Sequence, residues 1–148
     1  MIKERLTNYI YLRRETENQK ERLARMKNAA QLPASNTDTS GAQHSRTVND
    51  RMAEATVRYM EYKNEVQPLI DANEAEMASI RAAVNALKNP LEREVLRLRY
   101  LDSEDCKHMG WRSIALKIYR NDDEKTMQTV FRLHGRALQN LRKGINAR

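Results

Sequence analysis

Apolar residues recur at steps of three and four from Val48 to Leu87, and this spacing constrains the fold more than any other feature of the chain. Such spacing aligns side chains along one side of an α-helix, and its persistence over several heptads favours a coiled coil. We therefore predict a long helix over residues 48–88 and call its apolar line the seam. The seam comprises Met52, Ala55, Tyr59, Tyr62, Val66, Leu69, Asn73, Glu76, Ile80, Val84 and Leu87.

The seam contains two polar residues, and a proline lies close to it. Asn73 either sets the register or marks a local break, and Met77 could replace Glu76 after a small slip in phase. Pro68 lacks a backbone N–H and costs about 3 kcal/mol inside a helix. We therefore predict a kink at Pro68, or two helices in place of one.

The seam needs a partner, and the sequence offers two. Residues 1–30 form a second predicted helix, and residues 31–47, rich in Ser, Thr, Asn and Gly, have the composition of a flexible linker. The seam either pairs with a second copy of the chain, which makes a homodimer, or folds back on residues 1–30 as a helical hairpin. The sequence is compatible with both arrangements.

Residues 89–148 begin with strong helix-start signals. Asn89, Pro90 and Glu92 have the order of an N-cap, a first-turn proline and a capping box. Apolar residues at helical spacing then predict a short helix over Trp111–Tyr119, in which Trp111 anchors a small core.

A second capping-box order, Asn121 followed by Glu124, predicts the start of a long basic helix. A short helix, a polar turn and a long basic helix form the helix-turn-helix plan, whose second helix enters the major groove of DNA.

Three segments of this part resemble region four of the bacterial sigma factors: EVLRLRY, WRSIALKIY and TVFRLHGRALQNLRK. The resemblance covers Leu87–Lys143, and with the helical N-terminal half the chain is most similar to phage late-transcription regulators of the ArpU/RinA type. One departure concerns the turn, where Tyr119 stands near the family's usual glycine and RNDDEKTMQ is longer than usual. Either the turn bulges or the recognition helix starts about a turn early.

The resemblance implies a fold and a set of partners. We expect an all-α chain, with a long helical or coiled-coil N-terminal part followed by a small sigma-region-four-like helix-turn-helix domain. We expect it to bind double-stranded DNA at a promoter, to contact RNA polymerase, and to act as a late-gene activator in the cytoplasm of a bacterial host. The alternative is a DNA-packaging protein similar to a phage small terminase subunit.

Candidate DNA contacts follow from the last helix. Gln128 can pair with adenine and Arg132 with guanine, and each such pair contributes about 1–3 kcal/mol of discrimination. The resemblance places both at readout positions beside the buried Val130. Thr129 and Lys125 are further candidates for base contacts. Phosphate contacts, which carry no sequence information, are expected from Arg97, Arg99, Arg112, Lys117 and Arg136.

Charge is distributed in agreement with this plan. The chain has 27 Lys and Arg against 20 Asp and Glu, a net charge of +7. Residues 111–148 hold nine basic and three acidic residues, whereas residues 49–88 hold five basic and seven acidic. A nucleic-acid partner therefore suits the C-terminal part, and the central helix suits a protein partner or solvent.

The sequence lacks the residues that other classes of function require. No Ser/His/Asp set, phosphate-binding glycine loop or carboxylate cluster is present, so we expect no enzyme and no cofactor. Cys106, His108 and His134 lack the paired spacing of a zinc site, so we expect no metal. No apolar run spans a bilayer, and the charged start is unlike a signal peptide. The single cysteine excludes an intramolecular disulfide and suits a reducing compartment.

Overall fold

The computed structural model describes residues 1–31 and 42–147, with only the backbone of residues 42–48. Throughout this part every regular element is helical, which confirms the all-α class. None of these helices is long and apolar enough to cross a membrane. The helices are α1 (Ile2–Gln31), α2 (Ala42–Asn85), α3 (Pro90–Leu96), α4 (Trp111–Tyr119) and α5 (Glu124–Asn146), with a π-helical segment, Arg97–Leu101, that continues α3.

The chain divides into two compact units. The first unit comprises Met1–Arg14 and Glu74–Arg148, and the second comprises Glu15–Asn73. This division differs from the predicted boundary at Asn89, because the start of α1 and the end of α2 belong with the C-terminal helices.

The predicted linker, residues 31–47, is helical where its ends are described. Gln31 belongs to α1 and residues 42–47 belong to α2, while residues 32–41 lie outside the described residues. The helix α2 continues through Pro68, so two separate helices were a wrong prediction. Pro68 cannot bond to the carbonyl four residues earlier, that of Asn64. Both residues are exposed, so water can reach that carbonyl.

In the second unit, α1 and α2 of the same chain pair side by side. The hydroxyl of Tyr62 donates to the side-chain oxygen of Gln19, and the guanidinium of Arg22 lies 5.1 Å from the centre of the Tyr62 ring. The amide of Asn73 donates to a carboxylate oxygen of Glu15 over 3.2 Å. These contacts pair α1 with α2 within one chain in this unit, as in the predicted hairpin.

The seam changes phase beside Pro68. Leu69 is half exposed, whereas Ile70 is only 2% exposed, so the predicted placement of Leu69 in the seam is wrong. Two successive steps of four, from Tyr62 to Val66 and from Val66 to Ile70, produce this shift. A shift of this kind rotates the buried line around the helix without ending it.

The first unit keeps the new phase. Met77 is buried, whereas the predicted seam residue Glu76 accepts from Arg5, with 2.7 Å between Nε and Oε1. The slip from Glu76 to Met77 is therefore observed. The core formed here draws on α1, α2, α3 with its π-helical segment, and α5. Its buried residues are Leu6, Tyr9, Met77, Ile80, Val84, Leu87, Leu96, Tyr100, Leu101, Ala137 and Leu141.

A second core in this unit joins α3 to α4 and α5. Ala115 is fully buried between larger side chains, as suits a close crossing of helices. The π-helical turn, in which the N–H of Asp102 donates to the carbonyl of Arg97 over 2.7 Å, lets neighbouring residues serve both cores. The buried members of the second core are Val95, Leu98, Ile114, Ala115, Val130 and Leu133.

The polar segment after the π-helical turn is held by α1. The guanidinium of Arg13 donates to the carbonyl of Leu101 over 2.8 Å and to that of Ser103. Hydrogen bonds from a charged donor are among the stronger ones in proteins. Arg13 therefore fixes the start of the loop that leads to α4.

Candidate nucleic-acid interface

The helix α5 has one buried and one exposed face. Val130, His134 and Ala137 lie in the buried stripe. All four candidate base-contact residues are exposed and lie away from that stripe: Lys125, Gln128, Thr129 and Arg132. The hydroxyl of Thr129 donates to the carbonyl of Lys125 over 2.9 Å, which leaves its oxygen free to accept but engages its proton.

The start of α5 differs from the prediction by two residues. The N-cap is Asp123, whose side chain accepts from the backbone N–H of Thr126 over 2.8 Å. Hydrogen bonds from the side chain and from the backbone of Thr126 hold the pKa of the Asp123 carboxyl below its ordinary value. Asn121, the predicted cap, instead accepts from the backbone N–H of Asp123 over 3.0 Å and shapes the turn. The helix begins at Glu124, so the candidate base contacts lie in its first turns.

The turn between α4 and α5 has four residues and contains one in the left-handed conformation. Arg120 has φ 54° and ψ 27°, the conformation that glycine adopts without steric cost. It directly follows Tyr119, the last residue of α4. Arg120 therefore closes this helix in a conformation that glycine commonly supplies.

Arg120→Gly should raise the free energy of unfolding by about 1 kcal/mol, because an L side chain in the left-handed region costs about that amount. Lys117→Gly is the matched control, since it places a glycine inside α4 and should lower stability by about 1 kcal/mol. Urea titrations of both variants measure the difference. Equal destabilisation by the two glycines would show that Arg120 does not adopt the left-handed conformation.

The candidate phosphate contacts differ in what they touch. Lys117 and Arg136 are exposed. Arg112 is 77% exposed at its side chain and lies 3.6 Å from a carboxylate oxygen of Asp122. An exposed pair at that distance contributes little, so Arg112 can exchange partners readily. Arg97 lies 3.6 Å from Asp102 in a similar exposed pair.

Arg99 is engaged inside the first unit. Its guanidinium lies 4.3 Å from the centre of the Trp111 ring and donates to the carbonyl of Met109 over 2.5 Å. Stacking on tryptophan and bonding to a loop carbonyl give Arg99 a structural role. It holds the loop before α4 against the residue that starts that helix.

Aromatic rings from the π-helical segment, α4 and α5 pack against one another. The Tyr100 hydroxyl and Nε2 of His134 are 2.8 Å apart, and Trp111 meets His134 edge-to-face with ring centres 4.7 Å apart. Trp111 is partly buried beside the second core, in agreement with its predicted anchoring role. Burial lowers the pKa of His134 to about 4, with smaller contributions from the charges of Lys3 and Arg99. His134 is therefore neutral at pH 7, and its Nε2 shares a hydrogen bond with the Tyr100 hydroxyl.

Glu92 does not complete the predicted capping box. The Asn89 side chain caps α3 by accepting from the backbone N–H of Leu91 over 2.9 Å, as predicted. Glu92 is buried and accepts from Nδ2 of Asn140 at 3.1 and 2.9 Å. The sequence does not indicate this pairing, because the two residues are far apart in the chain.

Among the side chains that the structure describes, those of residues 1–31 and 49–147, no group of three or more His, Cys, Asp or Glu could hold a metal ion. Cys106 is exposed. No family model, curated protein or solved structure matches the chain.

Proposed function

We propose that the chain is a sequence-specific regulator of transcription that binds double-stranded DNA, of the phage late-gene activator type. In this proposal α4 and α5 form the helix-turn-helix and α5 is the recognition helix. The observation that carries it is the exposed first half of α5, where Lys125, Gln128 and Arg132 face away from the buried stripe. The bases of a major groove are read by residues at this end of a recognition helix.

In the proposed mechanism some side chains recognise the bases and others anchor the protein on the DNA phosphates. Gln128 and Arg132 contact base edges, and Arg97, Arg112, Lys117 and Arg136 contact phosphates. Arg99 is left out of the phosphate set because its guanidinium is bonded to Met109 and stacked on Trp111. Contact with RNA polymerase rests on the sigma-factor resemblance alone.

Selection of binding sites from a library of random DNA duplexes tests this function directly. We expect one enriched motif at moderate salt, bound by a monomer or dimer in light scattering. Absence of duplex binding even at low ionic strength overturns the proposal. A ring of many subunits with weak sequence preference would favour the packaging alternative.

Arg112→Ala should weaken binding to all duplexes alike, because a phosphate contact carries no sequence information. The slope of log affinity against log salt should become shallower by about 1, as one fewer phosphate is neutralised. Fluorescence anisotropy at several salt concentrations measures the slope. Arg25→Ala, an exposed arginine of the second unit, is the control and should leave the slope unchanged.

A further inference from the structure

A cavity of about 430 Å³ lies in the first unit, where the end of α2, the start of α3 and the end of α5 meet. Its volume falls within the range of small-molecule sites, which are mostly apolar with a few convergent polar groups. Ala83, Ala86, Leu87, Leu141 and Ile145 supply the apolar wall. The DNA-contacting face proposed for α5 contributes none of the lining.

The polar group that distinguishes this cavity is the carboxyl group of Glu92. Glu92 lines the cavity and is only 4% exposed. Among the described residues its hydrogen-bonding partner is a single atom, Nδ2 of Asn140, at 3.1 and 2.9 Å from the two oxygens. A carboxylate accepts about four hydrogen bonds, so about half of its capacity is unused. Burying such a group is costly unless a charge or further donors meet it.

The apolar wall of the cavity continues into a neighbouring recess. A second recess of about 150 Å³ shares Ala83, Leu141 and Ile145 with the cavity. A ligand that follows this wall is elongated and aliphatic. One that also satisfies Glu92 carries hydrogen-bond donors and positive charge at one end.

We propose that this cavity binds a linear alkyl cation, with its methylene groups on the apolar wall and its ammonium or guanidinium group on Glu92. A guanidinium can donate two parallel hydrogen bonds to the two carboxylate oxygens. Lys88 also lines the cavity and is exposed, so it disfavours a second positive charge on the ligand. The site stands independently of the function proposed for α5.

Titration of the full chain with n-butylguanidinium, followed by amide chemical shifts, tests the site. We expect saturable shifts at residues of the cavity, and at least tenfold weaker binding of n-butylurea, its neutral analogue of similar shape. Glu92→Gln keeps an oxygen for Asn140 and should weaken n-butylguanidinium at least tenfold. Equal affinity of the two compounds, or no shifts in the cavity, overturns the proposal.

A second pair of variants keeps the test valid if Glu92→Gln fails to fold. Gly144 lines the cavity, and a Cβ added there meets nothing within 4 Å. Gly144→Leu should fill the space and abolish binding, whereas Gly144→Ala should retain it. Binding that survives Gly144→Leu places the ligand elsewhere and contradicts the site.

N-acetylarginine amide distinguishes the two sources of such a cation. Affinity close to that of n-butylguanidinium assigns the ligand to an arginine side chain of a protein partner. Binding of n-butylguanidinium alone assigns it to a free organic amine or guanidine. Both outcomes support the alkyl-cation site, and failure of both compounds refutes it.

Discussion

Arg132→Ala should relax the sequence preference at one base position of the selected duplex. A bidentate arginine–guanine pair contributes about 1–3 kcal/mol of discrimination, so affinity for the preferred site should fall roughly 5- to 150-fold. Affinity for duplexes that differ at that position should fall much less. The side chain is exposed on α5 opposite the buried stripe, so its removal should leave the core intact.

Binding-site selection repeated with the variant measures this effect, together with anisotropy on the preferred site and its single-base variants. Arg142→Ala is the matched control, since Arg142 is also exposed on α5 but lies near the end of that helix. It should leave the selected motif unchanged. The same motif at the same strength from Arg132→Ala would show that Arg132 reads no base.

The pH dependence of stability should carry a large contribution from His134. Its pKa is about 4 in the folded chain against an ordinary 6.5, because burial disfavours the charged ring. Between these values the unfolded chain binds the extra proton, so acid favours unfolding. The contribution is fully present above pH 6.5 and decreases as the pH falls towards 4, by up to about 3 kcal/mol.

His134→Gln isolates this contribution. Glutamine does not titrate, and its amide can hydrogen-bond with the Tyr100 hydroxyl as donor or acceptor. Urea titrations at pH 7 and pH 4.5 should therefore show a smaller loss of stability in the variant than in the parent chain. The carboxyl groups titrate in both proteins and cancel in the comparison. Identical losses would mean that His134 titrates alike in the folded and unfolded chains.

Local signals in the sequence predicted local structure well. The helix Trp111–Tyr119 begins and ends as predicted, because the stripe of apolar residues and the flanking polar turns act within a few residues. The cap at Asn89 is also local. Asn121 and Asp123 are both good caps by type, and only the geometry of the turn decides between them.

The features that the sequence missed depend on residues distant in the chain. Leu69 and Ile70 have similar hydrophobicity, and the packing of α1 on α2 determines which of them is buried. Arg99 carries the charge expected of a phosphate contact, yet it stacks on Trp111 and donates to the carbonyl of Met109. In the sequence Glu92 fits a capping box, but in the structure it accepts a hydrogen bond from Asn140 instead. Identifying such pairings requires the tertiary structure.

The composition of the first core has a consequence for how the chain folds during synthesis. Leu6 and Tyr9 share that core with Ala137 and Leu141 of α5. The chain emerges from the ribosome in order, so the early segment waits for partners that are translated much later. Contacts of such high sequence separation also slow folding, because a long loop must close before they form. The region proposed to bind DNA therefore gains its final packing only once translation has passed α5.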